Sequence, residues 1–189
     1  MINDRGYPKE WRPYPSVTEV MPKTDFSHIT PQQLEHARIQ GTNNHLRVKR
    51  YLETGNDRKS PYIKLFNQFI EENTKELGKL IMFETPLFSK KHSFKGTADL
   101  VFEKGLVDLK RTFWETKRHG LQLAGYNMLT AENKILKKTK NRFILTIHTD
   151  ENKYKLRNVW VEKADETFLA LLQRRKIDEY IDAYFYQGQ

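Results

Sequence analysis

Three ionisable residues interrupt two otherwise apolar stretches, Gly96-Thr97-Ala98-Asp99-Leu100-Val101 and Leu106-Val107-Asp108-Leu109-Lys110. Burial strips charges of their water, so in such a setting something must compensate them. Asp108 and Lys110 are two apart, so on a strand both side chains leave one face while Val107 and Leu109 leave the other. Register decides whether Asp99 joins them. A two-residue turn at Lys104-Gly105 pairs Glu103 with Leu106 and Asp99 with Lys110, which puts all three charges on one face. A three-residue loop puts Asp99 on the opposite face unless a bulge intervenes. Two readings of the set stay open: a stabilised ion cluster, or the walls of a metal site. Carboxylates on adjacent strands suit a hard divalent ion, with a backbone carbonyl such as that of Leu109, water and phosphate oxygens completing its shell. Such an ion would acidify a water and neutralise charge building on a phosphate, and Lys110 would orient that water or stabilise the leaving oxygen.

The surrounding pattern has period two. Leu80 to Phe88, Phe94 to Glu103 and Leu106 to Thr112 read as an antiparallel meander with turns near Lys90-Lys91 and Lys104-Gly105. Ahead of it, Thr30-Pro31-Gln32-Gln33 opens a helix to about Gln40. Gly41 interrupts it, and Thr42 caps a second helix that carries His45, Val48 and Leu52 and stops at Gly55. Ser60-Pro61 starts a core helix with Tyr62, Leu65, Phe66, Phe69, Ile70 and Leu77 on one side, ending at Gly78. After the meander, a helix from Trp114 to about Lys138 buries Leu121, Ala124, Met128, Leu129 and Ile135. Strands from Asn141 to Thr149 and Lys153 to Val161 follow, joined at Asp150-Glu151-Asn152. Asp165 caps a last helix with the stripe Phe168, Leu171, Leu172, Ile177, Ile181 and Tyr184. Prolines 8, 13 and 15, with Trp11 and Tyr14 between them, favour an extended strap over residues 1–29, anchored by Val17 and Val20. This order predicts a single domain over residues 1–189, of mixed α/β (α+β) class, with a central mixed five-stranded sheet flanked by helices.

A chain of 189 residues, 38% of them hydrophobic, fills one substantial core. Its net charge of +9 makes polyanions the natural partners, nucleic acid ahead of anionic membrane. No run approaches the roughly 18 apolar residues of a membrane span, and Met1 to Glu10 has no apolar signal stretch, so a soluble, intracellular, cytoplasmic protein is expected. The absence of cysteine excludes disulfides, thiolate zinc and cysteine-held iron–sulfur clusters, leaving oxygen and imidazole as metal ligands.

Gly-Thr-Ala-Asp99, then Asp108-Leu-Lys110-Arg-Thr, then Gln122-Leu-Ala-Gly-Tyr126 resembles the PD-(D/E)XK nucleases, in particular their RecB-like exonuclease branch. The resemblance implies a restriction-endonuclease-like core, Mg2+ or Mn2+ as cofactor, and Asp99, Asp108 and Lys110 as catalytic residues. It also implies a metal-ligating histidine upstream in a helix after a Gly-Thr step, and Gly41-Thr42-Asn43-Asn44-His45 fits. An imidazole ligand would favour manganese. Ala98 stands where the family's name has proline, and the chain carries neither the cluster cysteines nor the helicase of several relatives. That leaves a small stand-alone nuclease of the sort found in phage recombination, repair or mobile elements, with DNA as substrate and a recombination or single-strand-binding protein as a further partner.

Other residues have a functional and a plainer reading. Gln122 and Tyr126 share a helix face and would hydrogen-bond a DNA phosphate or brace Lys110, with core packing of Tyr126 as the competing account. Glu84 would add a carboxylate or a water contact, its facing undetermined. Arg111 and Thr112 would grip the scissile strand's phosphates, or simply end a strand. Lys90, Lys91, His92 and Lys95 form one basic turn, and Lys134, Lys137, Lys138, Lys140 and Arg142 another. Both are solvated surface or the walls of a DNA groove, with Trp11 or Trp114 stacking on single-stranded bases. The expected function is a divalent-metal-dependent deoxyribonuclease, an exonuclease. The alternatives are a non-catalytic nucleic-acid-binding module and a structure-specific endonuclease such as a junction resolvase.

Overall fold

Ser16 and Glu19 close a capping box, each side chain taking the other's backbone N–H, and start a single helical turn, α1 (Val17–Val20). In the computed structural model, which describes residues 7–25, 27, 29–112 and 116–185, the N-terminal segment is therefore less extended than its prolines predict. It forms a 3-10 turn at Lys9–Trp11 and then α1, whose Val17 and Val20 are buried. Thr30 and Gln33 form a second capping box, with Pro31 at the first helical position, and α2 (Pro31–Thr54) follows. The predicted break at Gly41 does not occur. That glycine is on an open part of the helix where an added Cβ would meet nothing, and the helix tolerates its cost of about 1 kcal/mol. Thr42 does not cap but donates back to the Arg38 carbonyl (3.1 Å). The helix stops at Gly55, left-handed at φ 70°. The next helix, α3 (Pro61–Leu77), buries Tyr62, Ile63, Leu65, Phe66, Phe69 and Leu77, although Ser60 makes no side-chain cap.

The strands are β1 (Leu80–Ser89), β2 (Phe94–Phe102), β3 (Gly105–Leu109), β4 (Arg142–His148) and β5 (Lys153–Asn158), forming one mixed sheet in the order β1-β2-β3-β4-β5. Only β3 and β4 are parallel, and the crossover this requires is α4 (Thr116–Glu132). β3 stops at Leu109 rather than Thr112, and β5 at Asn158 rather than Val161. α4 ends at Glu132, short of the predicted Lys138. There the Asn133 amide turns back onto the carbonyls of Leu129 and Phe88, and Lys134 adopts φ 58°.

Helices cover both faces of the sheet. Val48 of α2 and the α3 aromatics pack on Leu100, Phe102, Val107 and Leu109. On the other face, Leu123 and Leu129 of α4 pack on Ala98, Val101, Leu106 and Ile144, joined by Val17 and by Phe168 of α5 (Ala164–Phe185). Asp165 lies inside the first turn of α5 instead of capping it, and pairs with Arg142 (2.8 Å) and Lys138 (3.1 Å). The predicted stripe of α5 is buried only at Phe168 and Leu172, with Leu171 partly so. Ile177, Ile181 and Tyr184 are exposed, because the helix outruns the sheet and nothing after Leu172 joins either core. No helix among the described residues is long and apolar enough to cross a membrane.

Candidate metal centre

All five residues of β3 are buried, Asp108 among them, so its charge has to be answered by side chains rather than by bulk water. The β2–β3 pairing is Leu100 with Val107, Val101 with Leu106 and Phe102 with Gly105. The turn is thus Glu103-Lys104, one residue earlier than predicted, and Asp99 comes opposite Asp108 rather than Lys110. The end of α3 fixes this turn: the Glu103 carboxylate accepts the Lys79 N–H (3.0 Å), and the Lys104 N–H reaches the Leu77 carbonyl (2.9 Å). A shift of two residues preserves the facing of side chains. Alternation breaks locally all the same, since Ala98 and Val101 both belong to the α4-side core. Asp99 sits at that break and its Oδ2 accepts the Leu109 N–H (2.7 Å).

Glu84 lies opposite Asp99 on β1, between the Phe83–Leu100 and Thr85–Ala98 pairs, and has a left-handed φ of 42°. Such a backbone on a residue other than glycine costs on the order of 1–3 kcal/mol and persists only where its surroundings enforce it. Here it accompanies a 2.7 Å contact between Glu84 Oε1 and His45 Nδ1. The other ring nitrogen, Nε2, is 3.1 Å from the Leu109 carbonyl, and Asp99 Oδ1 is 3.6 Å from Nδ1. Both ring nitrogens therefore face acceptors. Burial opposes a charged ring, but Asp99 and Glu84 outweigh it and raise the His45 pKa to about 9. Burial, and then the neighbouring Asp108 carboxylate, push the Asp99 carboxyl well above the usual carboxylate range, against the pull of His45 and Lys110.

Lys110 Nζ is 2.6 Å from Asp108 Oδ2. Burial alone would lower its pKa, but Asp108 and Asp99 reverse the sign and the net shift is upward. Asp108 Oδ1 accepts from the Gln122 amide (3.4 Å), which also donates to the Tyr126 hydroxyl (3.2 Å). Gln122 and Tyr126 are both buried, so they brace Asp108 rather than present themselves to a substrate. Gly96 makes this possible: a Cβ there would meet Tyr126, Leu129 and Val17 side-chain atoms at 2.9 Å each. Tyr126 is consequently packed and hydrogen-bonded at once.

Arg111 and Thr112 are exposed past the end of β3. Two members of the predicted basic walls turn inward instead. Lys95 Nζ donates to the carbonyls of Trp11 and Arg12, and Arg142 is held by Asp165 and the Thr139 carbonyl. Trp11 stacks on Phe88 rather than standing free, and Trp114 lies outside the described residues. Two tyrosines near the centre escaped the sequence reading. Tyr62 is close enough for the Asp99 charge to raise its pKa, though burial is the larger cause. Tyr7, from the strap, shares a hydrogen bond with Thr97 (3.1 Å), two residues from Asp99. In the sequence Tyr62 is one more member of an apolar stripe, and nothing local marks Tyr7.

Donor atoms of His45, Glu84 and Asp99 all lie within 4.8 Å of one another. Asp108 is not in that group, because its carboxylate is drawn to Lys110 and Gln122, and Glu84 takes the place the sequence reading gave it. The set has the chemistry of a divalent-cation site: two carboxylates and an imidazole converge, with the Leu109 carbonyl on the other ring nitrogen, and the buried Asp108 Oδ2 has no hydrogen-bond partner apart from its ion pair with Lys110. A second group with comparable spacing, His148, Asp150 and Glu151, lies on the β4–β5 turn. No protein-family model matches the chain, and no curated protein is significantly similar to it.

Proposed function

We propose that the protein is a divalent-metal-dependent deoxyribonuclease, an exonuclease built on a restriction-endonuclease-like core of the RecB-like kind. The observation that carries this reading is the meeting of His45, Glu84 and Asp99 beside the Asp108–Lys110 pair at the C-terminal end of β3. Asp99, Glu84, His45 and the Leu109 carbonyl would hold the metal, with Asp108 adjoining. Bound there, Mg2+ or Mn2+ supplies an acidified water and charge neutralisation at the scissile phosphate. Lys110, kept cationic by its two carboxylates, offsets negative charge building on the phosphate oxygens. Gln122 holds Asp108 in orientation, and Tyr126 holds Gln122. Arg111, exposed just beyond Lys110, offers its guanidinium to the neighbouring phosphate.

The test uses the full chain on end-labelled linear DNA with Mg2+ or Mn2+, comparing wild type with Lys110→Ala and Asp108→Ala. Wild type degrades the DNA, and each variant loses roughly 10²-fold or more. Equal degradation by all three would overturn the assignment. Closed circular DNA separates the exonuclease from a structure-specific endonuclease, since an exonuclease needs an end. One observation favours a second reading, a nucleic-acid binder without turnover: the cluster already neutralises itself through the His45–Glu84 and Lys110–Asp108 pairs on a chain of charge +9. Metal-independent DNA binding with no carboxylate-dependent metal affinity would select it.

A further inference from the structure

Three separate segments bring positive charge to one corner of the molecule. The β1–β2 turn carries Lys90, Lys91 and His92, the loop after α4 carries Lys138, and α5 carries Lys176, whose Nζ donates to the His92 carbonyl (2.8 Å). Burial, then Lys91, together with Lys176 and Lys138, holds the His92 imidazole below its ordinary pKa against the opposing pull of Glu132. The two acids beside the lysines are already engaged. Glu132 accepts from the Ser89 hydroxyl (2.5 Å) and the Lys91 N–H (2.9 Å), and Asp165 is shared by Arg142 and Lys138. The lysine side chains at 90 and 91 are exposed.

From Lys176 the stripe continues to Tyr180 and Tyr184, each one turn further along α5. Those two rings stack on each other, 6.1 Å apart and inclined by 16°, while 68% and 71% exposed. Exposed stacked aromatics beside a lysine cluster have the composition that holds a single-stranded nucleic acid, cations on phosphates and rings on bases. The corner also lies at the right end of the sheet. β3 runs antiparallel to β2, so its C-terminal end, with Lys110, points toward the β1–β2 turn. The five steps of β2 from Asp99 back to Phe94 span about 17 Å at 3.3 Å each.

We propose that Lys90, Lys91, Lys138, Lys176, Tyr180 and Tyr184 form a binding surface for a single-stranded nucleic acid, its phosphates on the lysines and its bases on the tyrosine pair. Its role as a second contact for the strand being degraded rests on the nuclease reading; binding itself does not. The test is fluorescence anisotropy of a labelled 20-nucleotide oligothymidylate, with the full chain in EDTA over a range of salt. Replacing Lys90 and Lys91 together by alanine removes two phosphate contacts, so the slope of log K against log salt should shrink by about 1.4. Tyr180→Ala should weaken binding of the single strand about tenfold and leave a duplex of the same length unaffected. Both variants should melt at the wild-type temperature, since the altered side chains are exposed.

Unchanged affinity and slope in the lysine variant would overturn the proposal. So would a lysine-dependent attachment to phosphatidylserine vesicles with DNA binding untouched. Wild type that binds through these lysines but never cleaves leaves the surface standing and removes the nuclease reading. Cleavage together with lysine-independent binding removes the surface alone.

Discussion

Two groups of histidine and carboxylates in this molecule have ligand-like spacing, and they differ in how they come together. His148, Asp150 and Glu151 lie within four residues on the β4–β5 turn. Their proximity follows from the chain itself, both carboxylates are exposed, and Lys153 already pairs with Glu151. His45, Glu84 and Asp99 come from α2, β1 and β2, so the fold has to hold them in place. One of them does so on a left-handed backbone that a glutamate adopts only under constraint, whereas the left-handed residue of the turn, Asn152, is of a type that tolerates it. The lower exposure of Glu84 and Asp99 makes their charges act strongly on His45, and solvent screens the carboxylates of the second group. Spacing alone does not separate the two groups; burial and origin in separate elements do.

The contrast is sharpest in metal binding. Asp99→Asn should abolish measurable Mn2+ binding by calorimetry and with it all metal-dependent cleavage, while Asp150→Asn leaves both at wild-type levels. Binding that survives Asp99→Asn and disappears in Asp150→Asn would reverse the assignment of the two groups. A smaller effect is expected one layer out. Gln122→Leu keeps the volume but takes the amide from Asp108, and should cost about 10–100-fold in metal affinity or cleavage rate. If affinity and rate both stay at wild-type level, the Gln122 bond to Asp108 is a packing accident.

These differences also mark how far the sequence could be read. The charges on β2 and β3, the starts of α2 and α3 and the β1–β2–β3 meander are legible because alternation, proline at the first helical position and turn residues act locally. Glu84 is another matter: no sequence signal announces a positive φ on a glutamate, and without it the side chain's direction along β1 stays open. Gln122 and Tyr126 show by their spacing that they share a helix face, but the spacing is the same whether that face meets substrate or core. The stripe on α5 has the same ambiguity. Ile177, Ile181 and Tyr184 continue the period of Phe168 and Leu172, and only the length of the sheet beneath decides that they emerge into solvent. A register two residues from the expected one keeps cross-strand parity, but the break in alternation at Asp99, which turns it to His45 and Glu84, has no local signal in the sequence.

Gly96 tests whether the three-element centre depends on close packing that the turn group does not need. Gly96→Ala puts a methyl 2.9 Å from Tyr126, Leu129 and Val17 side-chain atoms, and the overpacking should cost about 1–3 kcal/mol in urea unfolding. Cleavage should fall alongside, because Tyr126 moves and the Gln122 amide loses its second partner. A variant as stable as wild type would mean that α4 slides freely over β2, and the bracing of Asp108 would lose its basis.

The smallest effect is expected at the turn. Glu151 is exposed, and its carboxyl is held below the usual range chiefly by the hydrogen bond from Lys153, with the charges of Lys153 and Lys155 adding to it. An ion pair between two solvated, flexible side chains gains little over separate hydration, and salt screens what it gains. Glu151→Gln should therefore leave the unfolding midpoint, the Mn2+ affinity and the cleavage rate at wild-type values. A clear loss of metal affinity in that variant would show that donors assembled by a four-residue turn do bind an ion, and burial would then no longer distinguish the two groups.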